Sequence, residues 1–151
     1  MSLNAETKIP RIVLIAEDQL LLAMGLRDEL EDGGYRVLKL AIRHQEALAL
    51  AREVKPDLAL VNIDLAQGDD GVALAEDLKA LGIPVLFISG QPGRARLART
   101  VAIASLSKPY SAAEMVDAVD YLFHHEQGDE SPPAPSKLEI FHPTFHLRSV
   151  A

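Results

Sequence analysis

Residues 56–71 read PDLALVNIDLAQGDDG. The four apolar residues Leu58 to Val61 are too few for a helix and carry no polar face, so they are predicted to form a strand covered by helices on both sides. Polar chemistry starts where that run stops, at Asn62. Ligands of open parallel α/β sheets bind at the carboxyl ends of the strands, so the first polar side chains after each apolar run are expected to share one pocket. The other runs end the same way: RIVLIA at Glu17-Asp18, IPVLFI at Ser89, and IASLS at Lys108-Pro109. Two acids, a hydroxyl and a lysine should therefore surround an amide.

The chain of 151 residues, 48% of them hydrophobic and 25% charged, is long enough to bury one sizeable core. No apolar run approaches the roughly 20 residues of a spanning helix, and MSLNAETK lacks a signal peptide's apolar stretch, so the expected location is the cytoplasm with no membrane contact. Cysteine is absent, which excludes disulfides, thiol catalysis and cysteine metal sites. The net charge of −7 argues against nonspecific nucleic-acid binding.

Outward from the central strand, the pattern predicts strands at 12–16, 35–40, 84–88 and 103–107. It predicts helices at 18–32, 45–54, 72–81, 94–101 and 111–124, five of each element in alternation. Leu20, Leu21, Met24 and Leu30 are among the apolar positions of the first helix, which Gly33-Gly34 stops. Ser111 is the expected N-cap of the last helix, with Glu114 completing a capping box. Residues 9–125 form the expected domain, 126–137 a polar, Pro-rich linker, and 138–151 an apolar tail. Leu138, Ile140, Phe141, Phe145 and Leu147 are the groups with which that tail should dock, on its own domain near the last two helices or on a second copy in a homodimer.

The ordered set Glu17-Asp18, PDLALVNI before a glycine-containing loop, Ser89, and Lys108-Pro109-Tyr110 resembles the receiver domain of bacterial two-component response regulators over residues 9–125. The resemblance implies a doubly wound, flavodoxin-like α/β sandwich whose five-stranded parallel sheet has the order 2-1-3-4-5. It also implies a histidine kinase or phosphotransfer protein as partner and a phosphoryl-accepting aspartate at the end of the third strand. Glu17, Asp18 and the backbone carbonyl of Asp64 would hold Mg²⁺, while Ser89 and Lys108 would bind phosphoryl oxygens. Each part has a plainer reading: acids suit helix starts by about 0.3 to 1 kcal/mol, Lys108 can precede a surface turn, and Ser89 can cap the loop at Gln91-Pro92-Gly93.

Aligned on PDLALV, the acceptor position holds Asn62, and an amide cannot form an acyl phosphate. Losing a carboxylate also removes a term of roughly 4 kcal/mol, the interaction of unit charges 4 Å apart at an effective dielectric near 20, from Mg²⁺ binding and from the pairing of Lys108. Mg²⁺ is therefore expected to be weakly held or absent. The competing register places the acceptor at Asp64, on the same strand face. Strand length favours Asn62, since four apolar residues precede both Asn62 and Ser89. Ser105 stands where receivers carry a switching aromatic residue. With few residues after 125, the expected function is a stand-alone, non-enzymatic receiver acting through protein contacts. The alternatives are a receiver phosphorylated on Asp64 and a small Mg²⁺-dependent phosphohydrolase. Arg94, Arg96 and Arg99 read as a solvated basic stretch or a surface for an acidic partner, and His124-His125 and His142/His146 as weak interfacial metal candidates.

Overall fold

The computed structural model of the protein describes residues 9–65, 68–126 and 134–142. Its elements in chain order are β1 (Ile12–Ala16), α1 (Leu20–Asp32), β2 (Arg36–Val37), α2 (His44–Val54), β3 (Leu58–Asn62), α3 (Gly71–Ala80), β4 (Val85–Ser89), α4 (Pro92–Leu97), β5 (Ala104–Ser107), α5 (Ala112–Glu126) and β6 (Leu138–Ile140). They build one sheet of order β2-β1-β3-β4-β5-β6. The first five strands pair in parallel, as alternation with helices requires.

Every residue of β3 and β4 is buried, because successive side chains enter two different cores. Val13, Ile15, Leu58, Leu60, Leu86 and Ile88 pack against α1 and α5 on one face. Leu14, Ala16, Ala59, Val61, Val85 and Phe87 pack against α2, α3 and α4 on the other. Continuous apolar runs in the sequence are the signature of this two-sided burial. At its N-terminal end β1 is tied to β3 by Asp57, whose buried carboxylate accepts the Ile12 N–H at 2.8 Å.

Two expectations need correction. The sheet has six strands, because Leu138–Ile140 adds to β5 in antiparallel fashion instead of forming a separate tail. Leu138 joins the core that contains Leu106 and Leu122, and Ile140 packs against it. The docking expected of 138–147 is thus made on the protein's own sheet edge by its first residues, while Phe145, Leu147 and His146 lie outside the described residues. In α1 the core face is Ala23, Leu26 and Leu30. Leu20, Leu21 and Met24 in its first two turns are exposed at 54%, 85% and 37%. The second correction is the helix following β4, which ends at Leu97 rather than 101, with residues 98–100 in a turn. Ser111 and Glu114 form the expected capping box, each side chain bonded to the other's backbone N–H at 3.0 and 2.8 Å.

Candidate functional site

Parallel register brings the strand ends level. Val61 lies beside Ala16, Asn62 beside Ile88, and Ser89 beside Ser107. The residues that follow these ends, Glu17-Asp18 and Lys108, therefore meet around Asn62 in the crevice beyond the carboxyl ends of β1 and β3, where the strand order reverses.

Asn62 is 2% exposed, and its amide is bonded on both sides. Its Nδ2 donates to Glu17 Oε2 at 2.9 Å and to Asp18 Oδ1 at 3.0 Å. Its Oδ1 accepts the Asp64 N–H at 3.2 Å and faces the Lys108 ammonium at 3.4 Å. Two donors and two acceptor sites are all an amide side chain has. The orientation follows from charge, since turning the amide over would set its oxygen against two carboxylates and its NH₂ against an ammonium. The Lys108–Pro109 peptide is cis.

Glu17 is fully buried, and its Oε2 also accepts the Gln19 N–H at 3.1 Å, whereas Oε1 has no partner among the described residues. Burial raises the Glu17 carboxyl above its ordinary 4.5, and the adjacent Asp18 carboxyl adds to the rise; the Gln19 N–H, the Asn62 amide and Lys108 oppose it. A folded-state pKa above the unfolded one means that the folded chain holds the proton more tightly. The associated stability is present below pH 4.5 and is lost as pH rises through the raised value. Denaturation measured across a pH series should show this decline in the wild type and a flatter profile in Glu17→Gln; parallel profiles would refute it.

The remaining predicted residues lie differently. Ser89 is buried, but its hydroxyl serves its own loop, donating to the Gln91 carbonyl and accepting the Gln91 N–H, both at 2.9 Å. The strand end reaches Lys108 by backbone instead, the Ser89 carbonyl accepting the Lys108 N–H at 2.9 Å. Ser105 is buried between Phe87 on β4 and Glu139 on β6 in the ladder, its Oγ without a partner among the described residues. Tyr110, next to the pocket, likewise has an unpartnered buried hydroxyl, and burial lifts its pKa beyond the usual phenol range.

Asp64 points out of the pocket. Its side chain is 69% exposed and pairs with Arg94, which also reaches Asp70 at 3.4 Å. The basic stretch on α4 and the turn after it is thus engaged within the chain: Arg94 by this loop, Arg96 by Glu139, and Arg99 with the Arg96 carbonyl. His142 Nε2 bonds the Arg99 carbonyl at 2.7 Å, while the His125 side chain and His146 lie outside the described residues. Arg94, Asp70 and the close approach of Gly71 to Asn62 are the site features that sequence reading missed, because all depend on how the loop after β3 folds back.

The donor set does not fit Mg²⁺ well. Two carboxylates converge, and Glu17 Oε1 is unpartnered among the described residues, but the third group presents a nitrogen to them, its oxygen being committed to Lys108 and the Asp64 N–H. Among the described residues no cluster of three or more acidic or imidazole side chains suits a metal ion. No described helix is long and apolar enough to cross a membrane.

Residues 13–120 match the family model of the response regulator receiver domain. The chain is 32% identical over 121 residues to the transcriptional regulatory protein PdtaR of Mycobacterium tuberculosis, covering 78% of this chain and 58% of that one. To the phyllosphere-induced regulator PhyR of Methylorubrum extorquens it is 34% identical over 118 residues, covering 76% and 44%. The chain thus spans about half the length of these curated relatives. Against the polar-differentiation response regulator DivK of Brucella anthropi it is 30% identical, and there the match covers 94% of the relative and 74% of this chain. Among solved structures, the receiver domain of a modulated diguanylate cyclase from Desulfovibrio desulfuricans superposes with a TM-score of 0.68 at 34% identity, over 81% of this chain and 100% of that one. Sheet order, pocket position and these matches agree: the chain belongs to the response regulator receiver domain family of two-component signalling.

Proposed function

We propose that this receiver signals through protein contacts and takes up no phosphoryl group at position 62. The observation that carries this reading is the full engagement of the Asn62 amide by Glu17, Asp18, Lys108 and the Asp64 N–H. In a receiver, the acidic pair and the lysine are groups that a divalent cation and a phosphoryl oxygen would otherwise satisfy. Here a neutral side chain supplies donors to the acids and an acceptor to the lysine, so the pocket is held in one arrangement without either ligand.

The partners in this reading are a histidine kinase, a phosphotransfer protein or another component of the relay, and the protein has no turnover of its own. Leu20, Leu21 and Met24, exposed on the first turns of α1 beside the pocket, supply an apolar contact surface of the kind that marks interaction sites. Asp64 supports the alternative acceptor poorly, since its carboxylate is turned to Arg94 on the surface.

Incubation of the full chain with a small-molecule phosphodonor and Mg²⁺, read by intact mass, should give no adduct. Labelling lost in Asp64→Asn would move the acceptor to Asp64, and turnover of a phosphate ester would count against a non-enzymatic module. Calorimetry should in turn show Mg²⁺ binding no tighter than the millimolar range, because a cation would have to turn the amide against Lys108. A micromolar dissociation constant would show that the amide yields readily.

A further inference from the structure

We infer that the outer edge of β5 is a strand-addition site for an extended partner segment, and that residues 134–142 act as its built-in competitor. Edge strands expose unpaired backbone groups, and an extended peptide that adds to such an edge gains main-chain hydrogen bonds and side-chain pockets together. The protein's own strand shows what this edge accepts. Leu106 lies opposite Leu138, Ser105 opposite Glu139, and Ala104 opposite Ile140. Beyond these pairs, the Ser107 N–H donates to the Lys137 carbonyl at 3.1 Å and the Phe141 N–H to the Ile103 carbonyl at 2.9 Å.

The side chains define an address. Leu138 is buried against the Leu106 side of the core, while Glu139 points the other way and accepts Arg96 Nε with both oxygens at 2.9 Å. Lys137 Nζ pairs with Glu114 at 3.0 Å. A cationic side chain on α4 and an anionic one on α5 thus flank an apolar seat. The matching ligand is an extended segment reading basic, apolar, acidic, apolar, as Lys137-Leu138-Glu139-Ile140 does.

The hold on the strap is slight for a sheet element. It spans three paired residues, and both ion pairs are substantially exposed, with side-chain exposures of 59% and 41% for Arg96 and Glu139 and 37% and 39% for Lys137 and Glu114. Such pairs add little. Tethering compensates, because a segment joined to the domain by a short linker competes at an effective concentration in the mM range. A partner must therefore outcompete the strap, which makes release the controlling step. The edge lies beside Ser105 and one residue from Lys108, so strand exchange would be felt at the pocket. This inference goes beyond the contact-signalling reading, and its test does not involve Asn62. Phosphoryl labelling of the wild type would overturn that reading and leave this one standing.

The test uses full-length chains and a fluorescent peptide of residues 134–142. Glu139→Arg sets two cations together and should release the strap, so that the variant binds the peptide at least tenfold more tightly than the wild type by anisotropy. Adding Arg96→Glu should restore closure and return peptide binding to the wild-type level. Leu138→Ala, which weakens the strap through its apolar anchor, should act in the same direction as Glu139→Arg. Hydrogen exchange at the Ser107 amide should quicken in both single variants. Faster exchange with no gain in peptide binding would overturn the proposal, because an open edge would then recruit no strand. Unchanged exchange in both variants would overturn it too, because the strap would then not be releasable.

Discussion

Asn62→Asp should give a chain that takes up a phosphoryl group where, on the proposed reading, the wild type takes up none, at a large cost in stability when no divalent cation is present. In the proposed reading, the nucleophile is the part that is missing. Glu17, Asp18 and Lys108 already lie around position 62, and the backbone that places them is set by the β1, β3 and β5 ends rather than by the amide. A carboxylate there would pair with Lys108 and complete an all-oxygen donor set for a divalent cation.

The same change removes two N–H donors, one from the buried Glu17 carboxylate and one from the partly buried Asp18 carboxylate. Hydrogen bonds to charged groups contribute about 1.5 to 3 kcal/mol each, so losing both costs about 3 to 6 kcal/mol before the pocket relaxes. Three carboxylates within hydrogen-bond distance also repel one another. Without divalent cation the variant should melt well below the wild type, and Mg²⁺ should recover most of the difference by binding the folded chain alone. Thermal melts with and without Mg²⁺ and intact mass after a phosphodonor report the two effects separately. A variant as stable as the wild type without cation would mean that the amide's bonds to Glu17 and Asp18 contribute little.

Much of this arrangement was legible in the sequence for one physical reason. Two-sided burial makes strands continuous apolar runs, and parallel register levels their ends, so the first polar residue after each run names a pocket residue. Glu17, Asp18, Asn62 and Lys108 meet on that logic alone. Ser89 was placed by the same rule, but which way a hydroxyl turns depends on the local loop, and its own Gln91 captured it.

The sixth strand was not legible, because three residues carry no periodic signal and their pairing rests on complementarity with β5, Arg96 and Glu114 far back in the chain. Which apolar residues of α1 would be covered was not legible either. Leu20, Leu21 and Met24 are as apolar as Leu26 and Leu30, yet the first three are exposed and the last two buried. Asp64 and Arg94 are 30 positions apart, and only the fold of the loop after β3 brings them together.

That loop holds the second large effect. Gly68 and Gly71 look alike in the sequence, as glycines of one turn, yet the structure asks different things of them. Gly68 takes φ of +79° with open space around it, so substitution there meets conformational strain alone. Gly71 has no positive φ, but a Cβ on it would lie 2.3 Å from the Asn62 carbonyl oxygen and 2.6 Å from the Ile63 Cα. Both are backbone atoms of the strand end that carries the pocket, and neither can move aside without moving Asn62. The Gly71 N–H is itself held by the Ile63 carbonyl at 2.8 Å, so the loop cannot drift away without breaking that bond. Overpacking of this kind typically costs about 1 to 3 kcal/mol, and more where the obstacle is backbone. Gly71→Ala should therefore reach at least the upper end of that range in denaturant unfolding, whereas Gly68→Ala, facing solvent, should cost less. Because the clash bears on Asn62, Gly71→Ala should also shift the amide resonances of Asn62 and Asp64 in heteronuclear spectra. Equal and small losses from the two alanine substitutions would show that the loop relaxes freely and does not brace the site.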